Sequence, residues 1–378
     1  MLARAFSLVP LLCFAAGCSG GAAAASTTTS GSGGSGGQFV TAPHPPFPVL
    51  DGSSTAVIAH PKLVTLTFQG SPNTATIEAA GDAIVASSWL LEVGAEYGVG
   101  AGEHLAKVSL PGPAPAALDD PALLTMLDQQ IQGGLAPAPT ADTIYMLHLP
   151  EGMSFDDGDG YAMCTDYLGY HWQADVPSGK VTYAIVGDCG DGIEEVTATL
   201  AHELIEAATD PGPAGGFYLQ PAPSDPWYAL DGYENADLCD YAEHVVEGGF
   251  SYQRSWSNAA AAAAATSPCA PIDPDEVFYD VSAEPATIPT VAAGQSATFT
   301  LTGWSTAPMG DWELGYDASY YGEFEPTVEL GDTVINNGKQ VSVTLTVPPL
   351  TQPGLLGVAM IYSGDGHGRF WPVTVRSK

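Results

Sequence analysis

The chain has 378 residues, with 43 acidic against 9 basic side chains and a formal net charge of −34. A chain so acidic repels phosphate backbones, which excludes nucleic acid as a partner. Its length suits two domains with ample material for a core.

The opening MLARAFSLVPLLCFAAGCSG sets Arg4 before an apolar run from Phe6 to Ala16, and Ala-Ala-Gly before Cys18. The run is too short to span a membrane and has the form of a secretory signal. It resembles a bacterial lipoprotein leader, although Ala15 stands where leucine is usual. The resemblance implies a signal peptide over 1–18, a lipid on Cys18 and membrane attachment through it; the alternative is ordinary secretion. Gly, Ser, Ala and Thr then dominate, and 19–40 reads as a flexible linker. The expected address is outside the cytoplasm: the bacterial cell envelope, or the extracellular medium.

Six cysteines occur, two of them in the leader. The remaining even set, Cys164, Cys189, Cys239 and Cys269, favours two disulfides in an exported chain. Pairing Cys164 with Cys189 and Cys239 with Cys269 closes the shorter loops.

Strand patterns over 63–68, 105–110, 143–149 and 181–186 alternate with helical patterns over 75–97 and from Asp119 to Gly133. This part, 41–271, is expected to be α/β. The loop 151–160 offers Asp156, Asp157 and Asp159 to calcium, but without the spacing or terminal glutamate of an EF-hand. A solvated turn is the simpler reading there. Tyr170-His171-Trp172 follows in a polar context.

The stretch 191–211, DGIEEVTATLAHELIEAATDP, is expected to be one helix, capped by Asp191 and stopped at Asp210-Pro211. Ile193, Val196, Leu200 and Leu204 gather on one side. His202 and Glu206 stack on a face roughly opposite, where a plain amphipathic helix carries solvated polar residues. The same spacing lets a histidine and a carboxylate grip one metal ion, with Glu203 within reach of a metal-bound water. Downstream, Glu234 and Asp237 are three apart, so on a helix they would share a face and supply a third ligand and its supporting acid.

From 272 the pattern changes to short alternating strands at 296–302, 312–316, 341–347, 355–362 and 370–375, with a hairpin signal at Asn336-Asn337-Gly338. An all-β immunoglobulin-like sandwich over 272–378 is expected, either as a spacer or as a binder of glycans or peptides through Tyr320, Tyr321 and Trp371.

Four stretches in order carry a family resemblance: YAIVGDC (183–189), AHELIEAATDP (201–211), YENADLCD (233–240) and YQRSWSN (252–258). Together they resemble exported bacterial proteins with an HExxE-type metallopeptidase domain, and the plant phosphate-induced, exordium-like cell-wall proteins. The resemblance covers roughly 61–271 and implies a zincin-like fold. It implies His202 and Glu206 as metal ligands, Glu234 or Asp237 as the third, and Glu203 as general base. Asn235 departs from the aliphatic residue expected there.

The leading expectation is a zinc-dependent peptidase acting on peptide or protein substrates. Two carboxylate ligands would make the zinc a weaker Lewis acid than a histidine-rich site does, and mixed ligands also suit manganese or iron. An oxyanion donor is expected from His171, Tyr170 or His244. The rival is a non-enzymatic envelope or cell-surface binding protein with a structural or vestigial metal site.

Overall fold

The computed structural model describes residues 39–52, 56–158, 160–213, 215–364 and 368–378. The leader with Cys18, the linker up to residue 38 and Asp159 lie outside the described residues.

The chain is mixed α/β. Five strands form one sheet in the order β2-β1-β3-β5-β4. They are β1 (Lys62–Phe68), β2 (Glu103–Leu110), β3 (Thr143–Leu149), β4 (Gly169–Val176) and β5 (Gly179–Gly187). The first four positions are parallel, while β4 runs antiparallel to β5 at the edge. Every residue of β3 is buried, because both faces of the sheet are covered. Ile144 and Met146 meet helices α1 (Thr74–Ile84), α2 (Ser88–Gly94) and α4 (Ile193–Thr209) on one face. Tyr145 and Leu147 meet α3 (Asp120–Gln132) on the other.

The single helix expected over 75–97 is broken at 85–87. Ser87 adopts an extended backbone and its side chain caps Leu90 N–H, starting α2 afresh. Asp119 does cap α3, accepting from Ala122 N–H at 2.8 Å. Asp191 does not cap α4. Gly192, at φ 102°, takes that place with no side-chain cap, in a conformation that a side chain resists.

The polar face of α4 is not solvated. All residues from Val196 to Thr209 are buried. The sheet covers one side, and a hairpin of β6 (Val245–Glu247) and β7 (Phe250–Tyr252) lies on another. Tyr252 joins the α4 core, and Ser251 N–H donates to Thr197 Oγ1 at 3.1 Å. Two disulfides are present, Cys164–Cys189 and Cys239–Cys269, at sequence separations of 25 and 30. Closing loops of that size stabilises the fold by about 3–4 kcal/mol each in the chain-entropy account.

The C-terminal part has two sheets. One is β8 (Tyr279–Glu284), β10 (Ser296–Ser305), β14 (Gln340–Thr346) and β12 (Thr327–Leu330). The other is β9 (Thr290–Val291), β16 (Phe370–Ser377), β15 (Leu356–Ser363), β11 (Trp312–Asp317) and β13 (Val334–Ile335). Their facing residues, such as Phe299, Val343, Ile361 and Val373, share one core.

That core does not stop at residue 272. Phe47 lies 5.8–6.3 Å, centroid to centroid, from five rings: Trp227 and Trp256 on its own side, and Phe278, Trp304 and Trp371 on the other. Trp371 is therefore buried rather than exposed, at 5% of its surface, and serves packing instead of surface binding. Thr374 and Arg376 also bond to the carbonyls of Pro226 and Pro223.

Candidate metal centre

Three segments bring the site together. Helix α4 contributes His202, Glu203 and Glu206, and Asp210 caps its end. Edge strand β4 contributes His171. The segment before and within a single 3-10 turn, Asp237–Cys239, contributes Glu234 and Asp237, with Asp240 directly after it. Glu234 and Asp237 are thus arranged by a turn, not by a shared helix face; Glu234 N–H donates to Asp237 Oδ2 at 3.0 Å. The Cys239–Cys269 disulfide fastens this turn.

Strand alternation decides which neighbour of His171 can take part. His171 pairs in register with Ala184, on the α4 side of the sheet. Tyr170 faces the other way and donates its hydroxyl to Asp120. His244 pairs with Ser251 Oγ at 3.3 Å. Of the three residues considered as oxyanion donors, His171 is the one set among the carboxylates.

His202 Nε2 lies 3.0 Å from Glu206 Oε2 and 3.6 Å from Asp237 Oδ1. A tetrahedral zinc with bonds of about 2.0–2.1 Å places its ligands about 3.3 Å apart. Both separations are near that edge length. Glu206 spends its other oxygen on the N–H groups of Ala236 (3.1 Å) and Asp237 (3.0 Å), which fixes its carboxylate plane. Sequence reasoning missed Gln253 and Asp240, which lie 3.0 and 3.4 Å from His202 Nδ1.

Across the site, His171 Nδ1 lies 3.4 Å from Glu203 Oε2 and 3.8 Å from Glu206 Oε2, and its Nε2 lies 3.5 Å from Glu234 Oε2. Glu203 is 1% exposed, and its Oε2 makes no hydrogen bond. Gly169 makes room for it: a Cβ there would stand 2.6 Å from Glu203 Oε1.

The electrostatics are those of a crowded acidic site. Burial alone would lower both histidines, yet Glu203 and Glu206 lift His171 to about 9, and Glu206 and Asp240 hold His202 well above its ordinary value. Burial raises Glu203 despite the two histidines beside it. Burial and the charge of Glu206 push Glu234 and Asp237 well above the carboxylate range. Glu206 moves the opposite way: burial is outweighed by His202 and the backbone N–H bonds.

Ligand atoms of His171, Glu203 and Glu206 lie within 4.8 Å of one another, and so do those of His202, Asp237 and Asp240. The donor set, imidazole plus carboxylate, fits zinc, manganese or iron. Among the described residues, the acidic loop with Asp156 and Asp157 forms no such group. Tyr320 and Tyr321 are half-buried and line a small cavity with Tyr233, Tyr241, Asp237 and Asp240, so a loop of the C-terminal part supplies some of the wall beside the site. No helix among the described residues is long and apolar enough to cross a membrane, and the two disulfides are compatible with an exported protein.

No family model matches the chain, and no curated protein matches it. Among solved structures, domains 4 and 5 of the S-layer protein SbsC are similar over 27% of this chain and 53% of theirs, at 19% identity and a TM-score of 0.21. A Bacteroides ovatus GH5 xyloglucanase in complex with a XXXG heptasaccharide is similar over 27% of this chain and 19% of its own, at 13% identity and a TM-score of 0.18. The chain spans about half, or less, of the length of these proteins, and likeness at that level fixes neither fold nor activity.

Proposed function

We propose that the protein is an exported, zinc-dependent peptidase of HExxE type, built on a zincin-like domain followed by an immunoglobulin-like sandwich. His202, Glu206 and Asp237 would hold the ion. The observation that carries the reading is the setting of His202: a buried imidazole whose Nε2 faces two carboxylates at 3.0 and 3.6 Å. Zinc there would supply Lewis acidity toward a peptide carbonyl and lower the pKa of water.

The chain's own residues divide the remaining work. Glu203 is the proton acceptor. Its Oε2 faces into the cluster, 3.4 Å from His171 Nδ1, and burial raises its pKa, which makes its carboxylate a stronger base. Later it returns the proton to the leaving amine. His171 holds Glu203 from the edge strand and, when protonated, offers positive charge to an oxyanion. Peptides or proteins are the substrate class, and an edge strand beside the site offers main-chain pairing for an extended peptide. A lipid on Cys18 would keep the enzyme at the cell envelope.

The test uses the chain from Gly20 onward, loaded with zinc and incubated with a mixed peptide library read by mass spectrometry. Cleavage by the wild type should fall about 10²–10⁴-fold in Glu203→Gln. Equal cleavage by both proteins, or none by either, would sink the peptidase reading.

A further inference from the structure

Two histidines face the carboxylate cluster, and each has one nitrogen committed elsewhere. His171 Nε2 lies 2.8 Å from Asp210 O. A carbonyl only accepts, so this nitrogen carries the hydrogen, and a neutral His171 turns its Nδ1 lone pair toward Glu203 and Glu206. His202 is locked in the same manner from its other side, by Gln253, and turns Nε2 inward. Two imidazole nitrogens facing one carboxylate oxygen are one more than the site of His202, Glu206 and Asp237 uses: Glu206 Oε2 lies 3.0 Å from His202 Nε2 and 3.8 Å from His171 Nδ1.

Glu203, Glu206, Glu234, Asp237 and Asp240 bring five carboxylates to the two imidazoles, and ligand atoms of His171, Glu203 and Glu206 lie within 4.8 Å of one another. Glu203 adds to this: it is 1% exposed, and its Oε2 lies 3.4 Å from His171 Nδ1, so with a neutral His171 two electron-rich atoms face each other and need a cation between them.

We propose that the centre takes a second divalent cation, held by His171 and Glu203, with Glu206 shared between the two ions. The proposal rests on the first ion, assigned above to His202, Glu206 and Asp237. Filling the second position ties up the Glu203 oxygen that acts as proton acceptor, so the second ion is inhibitory.

The experiment is a titration of the metal-free chain from Gly20 with zinc, followed by native mass spectrometry and calorimetry. The wild type should bind two ions in separable steps. His171→Ala should keep the first step and lose the second. Glu203→Gln, which preserves shape should His171→Ala fail to fold, should do the same. Saturation of the wild type at one ion would overturn the second position and leave the first standing, as would a second step unchanged in both variants. No binding at all would overturn both.

Discussion

Gln253 Oε1 lies 3.0 Å from His202 Nδ1, and the rest of the Gln253 amide is already committed. Its Nε2 donates to Ala236 O at 2.9 Å and to Asp240 Oδ1 at 3.1 Å. The amide can face only one way, so His202 Nδ1 must donate and Nε2 must face Glu206 and Asp237. Outer partners of this kind fix tautomer and ring angle, and losing one typically lowers metal affinity 10–100-fold. Gln253→Leu should therefore weaken zinc binding by about 10–100-fold. Competition with a chromophoric chelator measures it, and an unchanged affinity would remove Gln253 from the account.

The shared aromatic core makes a second prediction. Phe47 touches rings on both sides of residue 272, so the two parts should unfold as one unit. Phe47→Ala should cost about 3–5 kcal/mol, the usual range for truncating a buried aromatic ring. Calorimetry should show one transition in the wild type. Two separate transitions, with only one moved by the substitution, would contradict the shared core.

Asp280 offers a pH test away from the metal centre. It is fully buried; Oδ1 accepts from Val281 N–H and Ser363 Oγ, and Oδ2 makes no hydrogen bond. Burial pushes its carboxyl from 3.8 up to about 7, although those two bonds and Arg369 pull the other way. The folded pKa is the higher one, so the native state favours the protonated form. The contribution to stability is full below pH 3.8, is lost as pH rises through about 7, and is flat above. A shift of that size corresponds to about 4 kcal/mol as an upper bound. Asp280→Asn should remove this component: the stability difference between variant and wild type, from urea melts, should change by a few kcal/mol between pH 4 and 8, roughly within that bound. Parallel profiles would contradict it.

Much of the fold was legible. The apolar runs of β1, β3 and β5 are what a sheet covered on both faces requires, and the cysteine spacing gave both disulfides. Helix α4 was readable by period, but its burial was not: a polar face looks the same in sequence whether water or a hairpin covers it. Edge strand β4 was missed because most of its residues are half-buried and polar side chains interrupt its apolar ones. Tyr170, Trp172, Ala174 and Val176 do recur with period two, the available signal. His202, Glu203, Glu206, Glu234, Asp237 and His171 were all singled out from type and spacing. Asp240 and Gln253 were not, because long-range features position their segments: the Cys239–Cys269 bridge, and Trp89 Nε1 donating to Gln253 O at 2.8 Å. No local period records such contacts. The break between α1 and α2 had a local sign in Ser87, a capping residue inside an apolar stretch.

The measurement that bears most directly on the central claim is the metal content of the chain from Gly20, purified without chelator or affinity tag. It should be compared with a His202→Ala/Glu206→Ala double variant shown by circular dichroism to be folded. The account predicts at least one zinc per wild-type chain by elemental analysis, and none at this centre in the double variant. No metal in the wild type after zinc is offered at neutral pH, or equal metal in both proteins, would contradict it.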